Sequence, residues 1–109
     1  MDDFHILSTC KGFEWDEQNA TKNWLKHRIS PFESEQIFFN IPLVVADDKK
    51  HSDKEKRFYA LGHTNEGRML FVVFTVRAEL IRVISARDMS RKEKEVYQSY
   101  EKKDSKIQK

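Results

Sequence analysis

Four arginines, Arg57, Arg77, Arg82 and Arg87, stand in stretches that otherwise read as apolar β-strand. A guanidinium stays charged at any working pH and holds its N–H groups in a planar fork, so arginines gathered on a sheet suit the oxygens of a phosphate. The plain alternative is that each snorkels to water from a strand end. Arg57 opens one run and Arg77 closes the next, and antiparallel pairing about Asn65 to Arg68 brings both to one end of the sheet. Like charges so placed repel, and an anion between them would relieve that. Which face each occupies depends on register: a three-residue loop ending at Gly67 puts Arg57 and Arg77 together, whereas a two-residue loop parts them. Arg82 and Arg87 face opposite ways in a regular strand, which favours Arg87 as functional and Arg82 as peripheral. His27, after a first helix, and His51, in the loop before Arg57, are candidates for acid or base, each also readable as a surface histidine.

Other chemistries find little support. With three glycines and no Gly-rich turn between a strand and a helix, the chain builds neither nucleotide phosphate-binding fingerprint. His5, His27, His51 and His63 lie too far apart for metal-ligand spacing, and Cys10 is the lone cysteine, so no metal, cofactor or internal disulfide is expected. No nucleophile elbow precedes a helix. The net charge of +2 hides an asymmetry: residues 1–48 hold four Lys/Arg against nine Asp/Glu, a balance of −5, and residues 49–109 hold sixteen against nine, a balance of +7. A basic half suits a polyanion, though a solvated surface explains it as well.

These residues need a scaffold, and 109 residues allow one core. The 12% aromatic content supplies apolar area despite 35% charged residues. The longest apolar run, Met69 to Val76, falls far short of the roughly 20 residues that a membrane-spanning helix needs. Asp2 and Asp3 stand where a secretory signal needs basic residues, so a cytoplasmic location is expected. Phe13 to Trp15 reads as a strand, and Asp16 as the N-cap of a helix to about His27, with Ala20 and Trp24 on one of its faces. Ser30, Pro31 and Glu33 start a second helix reaching about Phe39, which Asn40 and Pro42 end. Leu43 to Ala46 follows as a strand, then a loop from Asp47 to Lys54. A hairpin through Asn65-Glu66-Gly67 joins Lys56–Thr64 to Arg68–Arg77; Ala78-Glu79 leads into a strand from Leu80 to Arg87, and Ser90 with Glu93 caps a last helix to about Tyr100. The order strand, helix, helix, four strands, helix predicts an α+β fold, with helices packed on one face of a mostly antiparallel sheet. Residues 1–12 form an N-terminal extension, 13–101 a single domain and 102–109 a charged tail.

The stretches FEWDEQNATKNWLKH, HSDKEKRFYALG and LIRVISARDMSRKE, in this order and spacing, resemble the BrnT toxin family over about Phe13 to Tyr100. The ISAR strand followed by a basic capping box is the most specific part. The resemblance implies a RelE-like fold, metal-independent RNA cleavage that arrests translation, and neutralisation by a BrnA-type antitoxin through which alone DNA would be contacted. It also implies site roles for His27 in the KH pair, for His51, Glu55 and Arg57 in the HSDKEKR segment, for Arg77 and for Arg87. Lys26, Lys54, Lys56 and Arg91 flank these positions as candidate RNA-binding residues. Two departures fall at one corner: Arg28 stands where the family usually has Gly, and Pro31 is an extra residue. If position 28 keeps a left-handed conformation, arginine there costs on the order of 1 kcal/mol relative to glycine. A reaction of this kind lets the RNA 2′-hydroxyl attack the adjacent phosphate while arginines bear the growing charge. The alternatives are a module that binds RNA or antitoxin without cutting, and a protein-interaction module whose arginines dock acidic side chains.

Overall fold

The computed structural model describes residues 4–51 and 55–107; Lys54 and the side chain of His51 lie outside what it describes. A five-stranded sheet runs in the order β1-β5-β4-β3-β2, with β1 (Gly12–Glu14) parallel to β5 (Leu80–Asp88) and β2 (Val44–Asp47), β3 (Phe58–His63), β4 (Met69–Arg77) and β5 antiparallel to their neighbours. Helices α1 (Glu17–His27), α2 (Pro31–Gln36) and α3 (Arg91–Ile107) complete the α+β fold, with short 3-10 turns at Phe4–Thr9, Ile37–Phe39 and Lys49–His51.

Local chemistry sets the boundaries. The Asp16 carboxylate accepts from the Gln18 and Asn19 N–H groups at 2.8 and 3.2 Å, and Ser30 with Glu33 forms a complete capping box ahead of Pro31. Arg28 holds the left-handed conformation (φ 55, ψ 43) at the end of α1, with its guanidinium 5.4 Å from the Trp24 ring. Between β3 and β4, Thr64 N–H donates to Arg68 O at 2.9 Å around a three-residue loop whose last member, Gly67, has φ 91. Ala78 and Glu79 both take positive φ in the two-residue turn from β4 to β5, held by Lys11 N–H to Glu79 O at 2.7 Å. The last helix was expected to end near Tyr100; it continues to Ile107, since no glycine or proline interrupts the stretch.

One sheet face carries the main core: Phe58, Ala60, Leu70, Val72, Phe74, Ile81, Val83 and Ala86 pack with Ile29 and Ile37 from the helical layer, and Ile6, Leu7 and Cys10 of the N-terminal turn press against them. A Cβ on Gly62 would stand 2.8 Å from Ile37 Cβ, so glycine there lets the 3-10 turn close on β3. The buried residue of α1 is Asn23; β1 pairs only with residues 80–82 of β5, and beyond them Asn23 Oδ1 accepts the Ala86 N–H at 3.2 Å. Helices were expected on one face, and α1 and α2 lie there. Helix α3 instead docks on the opposite face, where Tyr97 and Met89 bury with Leu61 against Val44, Met69 and Phe71. Strand β4 is apolar on both faces, and each needs cover. The Tyr97 hydroxyl donates to Pro42 O at 2.6 Å and lies 2.7 Å from His63 Nδ1, tying α3 down at the hairpin end. Among the described residues no other helix covers the remainder of that face.

Candidate functional site

The uncovered face is made by the alternate residues of the hairpin. Register pairs Tyr59 with Val73, Leu61 with Phe71, and Phe71 with Arg87, so these side chains share one side. The loop closing at Gly67 is the three-residue kind, and Arg57 and Arg77 therefore fall on this side by the parity of the strands. Arg82 was expected to face away from Arg87. Between Val73–Ser85 and Phe74–Val83, however, Ile84 is an extra residue, and this bulge sets Arg82, opposite Thr75, on the same side as Arg87, opposite Phe71.

Sharing a face does not give the arginines one role. Arg82 is tied to Glu14 at 3.4 Å and Asp16 at 3.0 Å, joining β5 to β1 and to the cap of α1. Arg77 makes a two-pronged pair with Glu55, 3.0 and 2.9 Å, open to solvent. The hydrogen bond from Arg77 holds the Glu55 carboxyl below its ordinary range. Arg87 makes the same pair with Glu93, both contacts 2.8 Å, and its guanidinium carbon lies 4.1 Å from the Phe71 ring centroid. Glu93 also accepts the Ser90 N–H at 2.8 Å, so one carboxylate caps α3 and grips Arg87, whose hydrogen bond lowers its pKa. Arg57 leads into β3 and lines a cavity of about 360 Å³ with Asp48, Tyr59, Phe71, Val73, Ile84 and Ser85. The strand is fixed there by Thr75 Oγ1 donating to Lys56 O at 2.8 Å.

The structure thus brings Arg57 and Arg87 to either side of one aromatic pair, Tyr59 and Phe71, whose rings stack 5.4 Å apart at 21°. Arg77 stands at the far end of the same face. His27 is not brought there: it ends α1 in the helical layer at the hairpin end, where its carbonyl accepts from Arg68. His51 lies in the 3-10 turn after β2. Lys56 reaches Asp47 at 3.5 Å, Arg91 is the exposed first residue of α3, and Lys26 lies on the outer side of α1. A larger hollow, about 730 Å³, runs along that outer side, but its walls (Glu17, Gln18, Thr21, Lys22, Leu25, Lys26) bring no sheet arginine to it. Among the described residues no three His, Cys, Asp or Glu side chains converge as metal ligands.

Sequence reasoning passed over Tyr59, Phe71 and Glu93. Tyr59 and Phe71 sit two residues on from Arg57 and six before Arg77, the parity of the face, and that spacing was the available signal. Arg68 was also missed. It donates to Asp88 (2.7 and 3.0 Å), Glu33 (3.2 Å) and the carbonyls of Arg28 and His27 (2.9 Å each).

Comparison with known proteins gives the family and the fold. The family described as the ribonuclease toxin, BrnT, of type II toxin–antitoxin systems matches residues 15–93. No curated protein matches the chain. Among solved structures, the ribonuclease toxin BrnT of Brucella abortus, a crystal structure at 1.1 Å, is similar with a TM-score of 0.55 and 26% identity, covering 73% of this chain and 97% of that one. The family match spans most of the chain and includes Arg57, Arg77, Arg87 and Glu93, and with the shared fold it establishes that this protein belongs to the BrnT ribonuclease toxins of type II toxin–antitoxin systems.

Proposed function

We propose that the protein is an endoribonuclease that cuts single-stranded RNA without a metal ion, works in the cytoplasm and thereby arrests translation and growth. The observation that carries this reading is the sheet face, covered by a helix only at α3 among the described residues, on which Arg57, Arg77 and Arg87 stand around Tyr59 and Phe71. The 2′-oxygen attacks the adjacent phosphorus and the bond to the 5′-oxygen breaks. The proton lost from the 2′-hydroxyl is made good on the leaving 5′-oxygen, so the products are a 2′,3′-cyclic phosphate and a 5′-hydroxyl. Arginine forks stabilise the phosphorane charge as it grows, and the protein's larger contribution is to align the attacking hydroxyl. Glu55 and Glu93 hold Arg77 and Arg87 extended until phosphate oxygens take their place. Lys56 and Arg91 add positive charge at the borders of this face, Lys26 on the outer side of α1 stands away from it, and His51 remains a candidate for proton transfer.

A BrnA-type antitoxin would cover this face, excluding RNA from the complex and making its only contact with DNA through the antitoxin. The test is cleavage of single-stranded RNA by purified, antitoxin-free protein in EDTA, with the ends analysed for cyclic phosphate. Folded protein that leaves RNA intact under these conditions overturns the reading. It would favour instead a module that binds without cutting, for which the prior engagement of Arg77 and Arg87 by carboxylates is the supporting observation.

A further inference from the structure

The stacked rings of Tyr59 and Phe71 form a wall with a hollow on each side. On one side is the 360 Å³ cavity reached by Arg57 and Ser85; on the other, about 300 Å³, lies a hollow under the start of α3, reached by Lys92 and Glu93. Both rings line both hollows. Such volumes stand at the lower edge of small-molecule sites, about 300–1,000 Å³, and suit a single flat heterocycle each. Arg87 rests its guanidinium on the Phe71 ring, so the wall carries cationic groups on either flank. Aromatic faces between cations are what a single nucleic-acid strand uses: every base has a π-face to stack, and its backbone needs positive charge.

Resting on the ribonuclease reading for its ligand class, we infer that the Tyr59–Phe71 wall parts two successive nucleotides of single-stranded RNA, one base in each hollow. The phosphodiester that joins them crosses the crest between Arg57 and Arg87. Parting the bases removes their mutual stacking and frees the intervening ribose to turn its 2′-oxygen toward the phosphorus. Asp48 in the first hollow and Glu93 in the second bring carboxylates to the level of the bases, where they favour edges that carry an amino group.

The test reads binding alone, so that its outcome is separate from that of the cleavage assay. Fluorescence anisotropy would follow a short 2′-fluoro RNA, which cannot cyclise, and a matching ribose-phosphate chain without bases. Tyr59→Ala should weaken binding of the base-bearing strand by roughly 5- to 100-fold, the range that one base–aromatic stack carries, while Tyr59→Phe stays within about twofold of wild type. Both Tyr59→Ala and wild type should bind the baseless chain equally and weakly. Ser85→Leu, which fills the first hollow and leaves the wall intact, should weaken the base-bearing strand by a similar factor. Wild type binding both chains alike, or a folded Tyr59→Ala binding the base-bearing strand as wild type does, overturns the inference even if the protein cuts RNA. Binding with the expected pattern by a protein that does not cut retains it.

Discussion

Arg68, in the turn before β4, and Arg87, on β5, are near neighbours on opposite faces of one sheet, yet the two faces use arginine in different ways. At the hairpin end Arg68 spends all five of its N–H donors within the chain, on two carboxylates and two carbonyls drawn from α1, α2, the helix-ending turn and β5. On the opposite face Arg77 is held by one carboxylate, Glu55, and Arg87 by Glu93 with the Asp88 carbonyl at 3.1 Å, and each presents a flat side to solvent or to a ring. Residue type alone does not separate a fastener from a working group. What separates them is how many donors the chain itself consumes, and whether the partner is a carboxylate that a phosphate can replace.

Substitution should bring out the difference between the two faces. Replacing Arg57, Arg77 or Arg87 with Ala is expected to lower RNA cleavage by about 10²–10³-fold, the scale of losing one donor to a charge that develops in the transition state, with the melting temperature little changed. Lysine in their place should restore little, because a point charge does not reproduce paired contacts. Cleavage rates beside thermal melts check this, and an Arg82→Ala that abolishes cutting while Arg87→Ala spares it would reverse the assignment.

Arg68→Ala should do the converse, costing about 2–3 kcal/mol of stability because it leaves two carboxylates and two carbonyls without their donor. The figure is held below that of a fully buried pair because Arg68 is 30% exposed. Urea denaturation measures it; a loss smaller than that of Arg77→Ala would show that Arg68 is no more a fastener than Arg77.

The acid limb sharpens the comparison further. The hydrogen bond from Arg68 holds the Asp88 carboxyl below its ordinary value, so its contribution to stability is present above the unfolded pKa, near 3.8, and is lost as pH falls through the depressed folded value. Melts between pH 5 and about 2 should therefore lose less in Asp88→Asn than in wild type. Glu55→Gln, at the exposed Arg77, should leave the curve nearly parallel to wild type.

The smallest expected change is a gain: Arg28→Gly relieves a left-handed backbone at a cost, elsewhere, of the Trp24 contact, and should stabilise by up to about 1 kcal/mol. Urea midpoints decide its sign.

The parts of the fold that were legible in the sequence are those whose chemistry is local. Asp16, the Ser30-Pro31-Glu33 box, Gly67 and the Ser90–Glu93 box each satisfy backbone groups within a few residues, and all four sit where expected. What was not legible depends on distant partners. The bulge at Ile84 arises between two strands, and it alone moves Arg82 to the face of Arg87. The side chosen by α3 follows from which face of β3 and β4 is still apolar once α1 and α2 have docked, through Leu61, Met69 and Phe71. Arg68 lies in a turn, where a charged residue calls for no explanation until four other elements are seen to converge on it. The site was legible in its arginines, read from residue type and hairpin parity, and hidden in its aromatic wall, because Tyr59 and Phe71 look in sequence like ordinary strand residues.

Glu93 has a further consequence because it belongs to two structures at once, the first turn of α3 and the grip on Arg87. Two equilibria that draw on one carboxylate are thermodynamically linked, and linkage is reciprocal. An anion that takes Arg87 from Glu93 leaves that carboxylate free to hold the helix start alone, and a protein that pulls α3 from the sheet withdraws the partner of Arg87. Amide hydrogen exchange at Ser90, Glu93 and Lys94 should thus report whether Arg87 is occupied, and a ligand that loosens the helix should itself be bound less tightly once the helix has been secured.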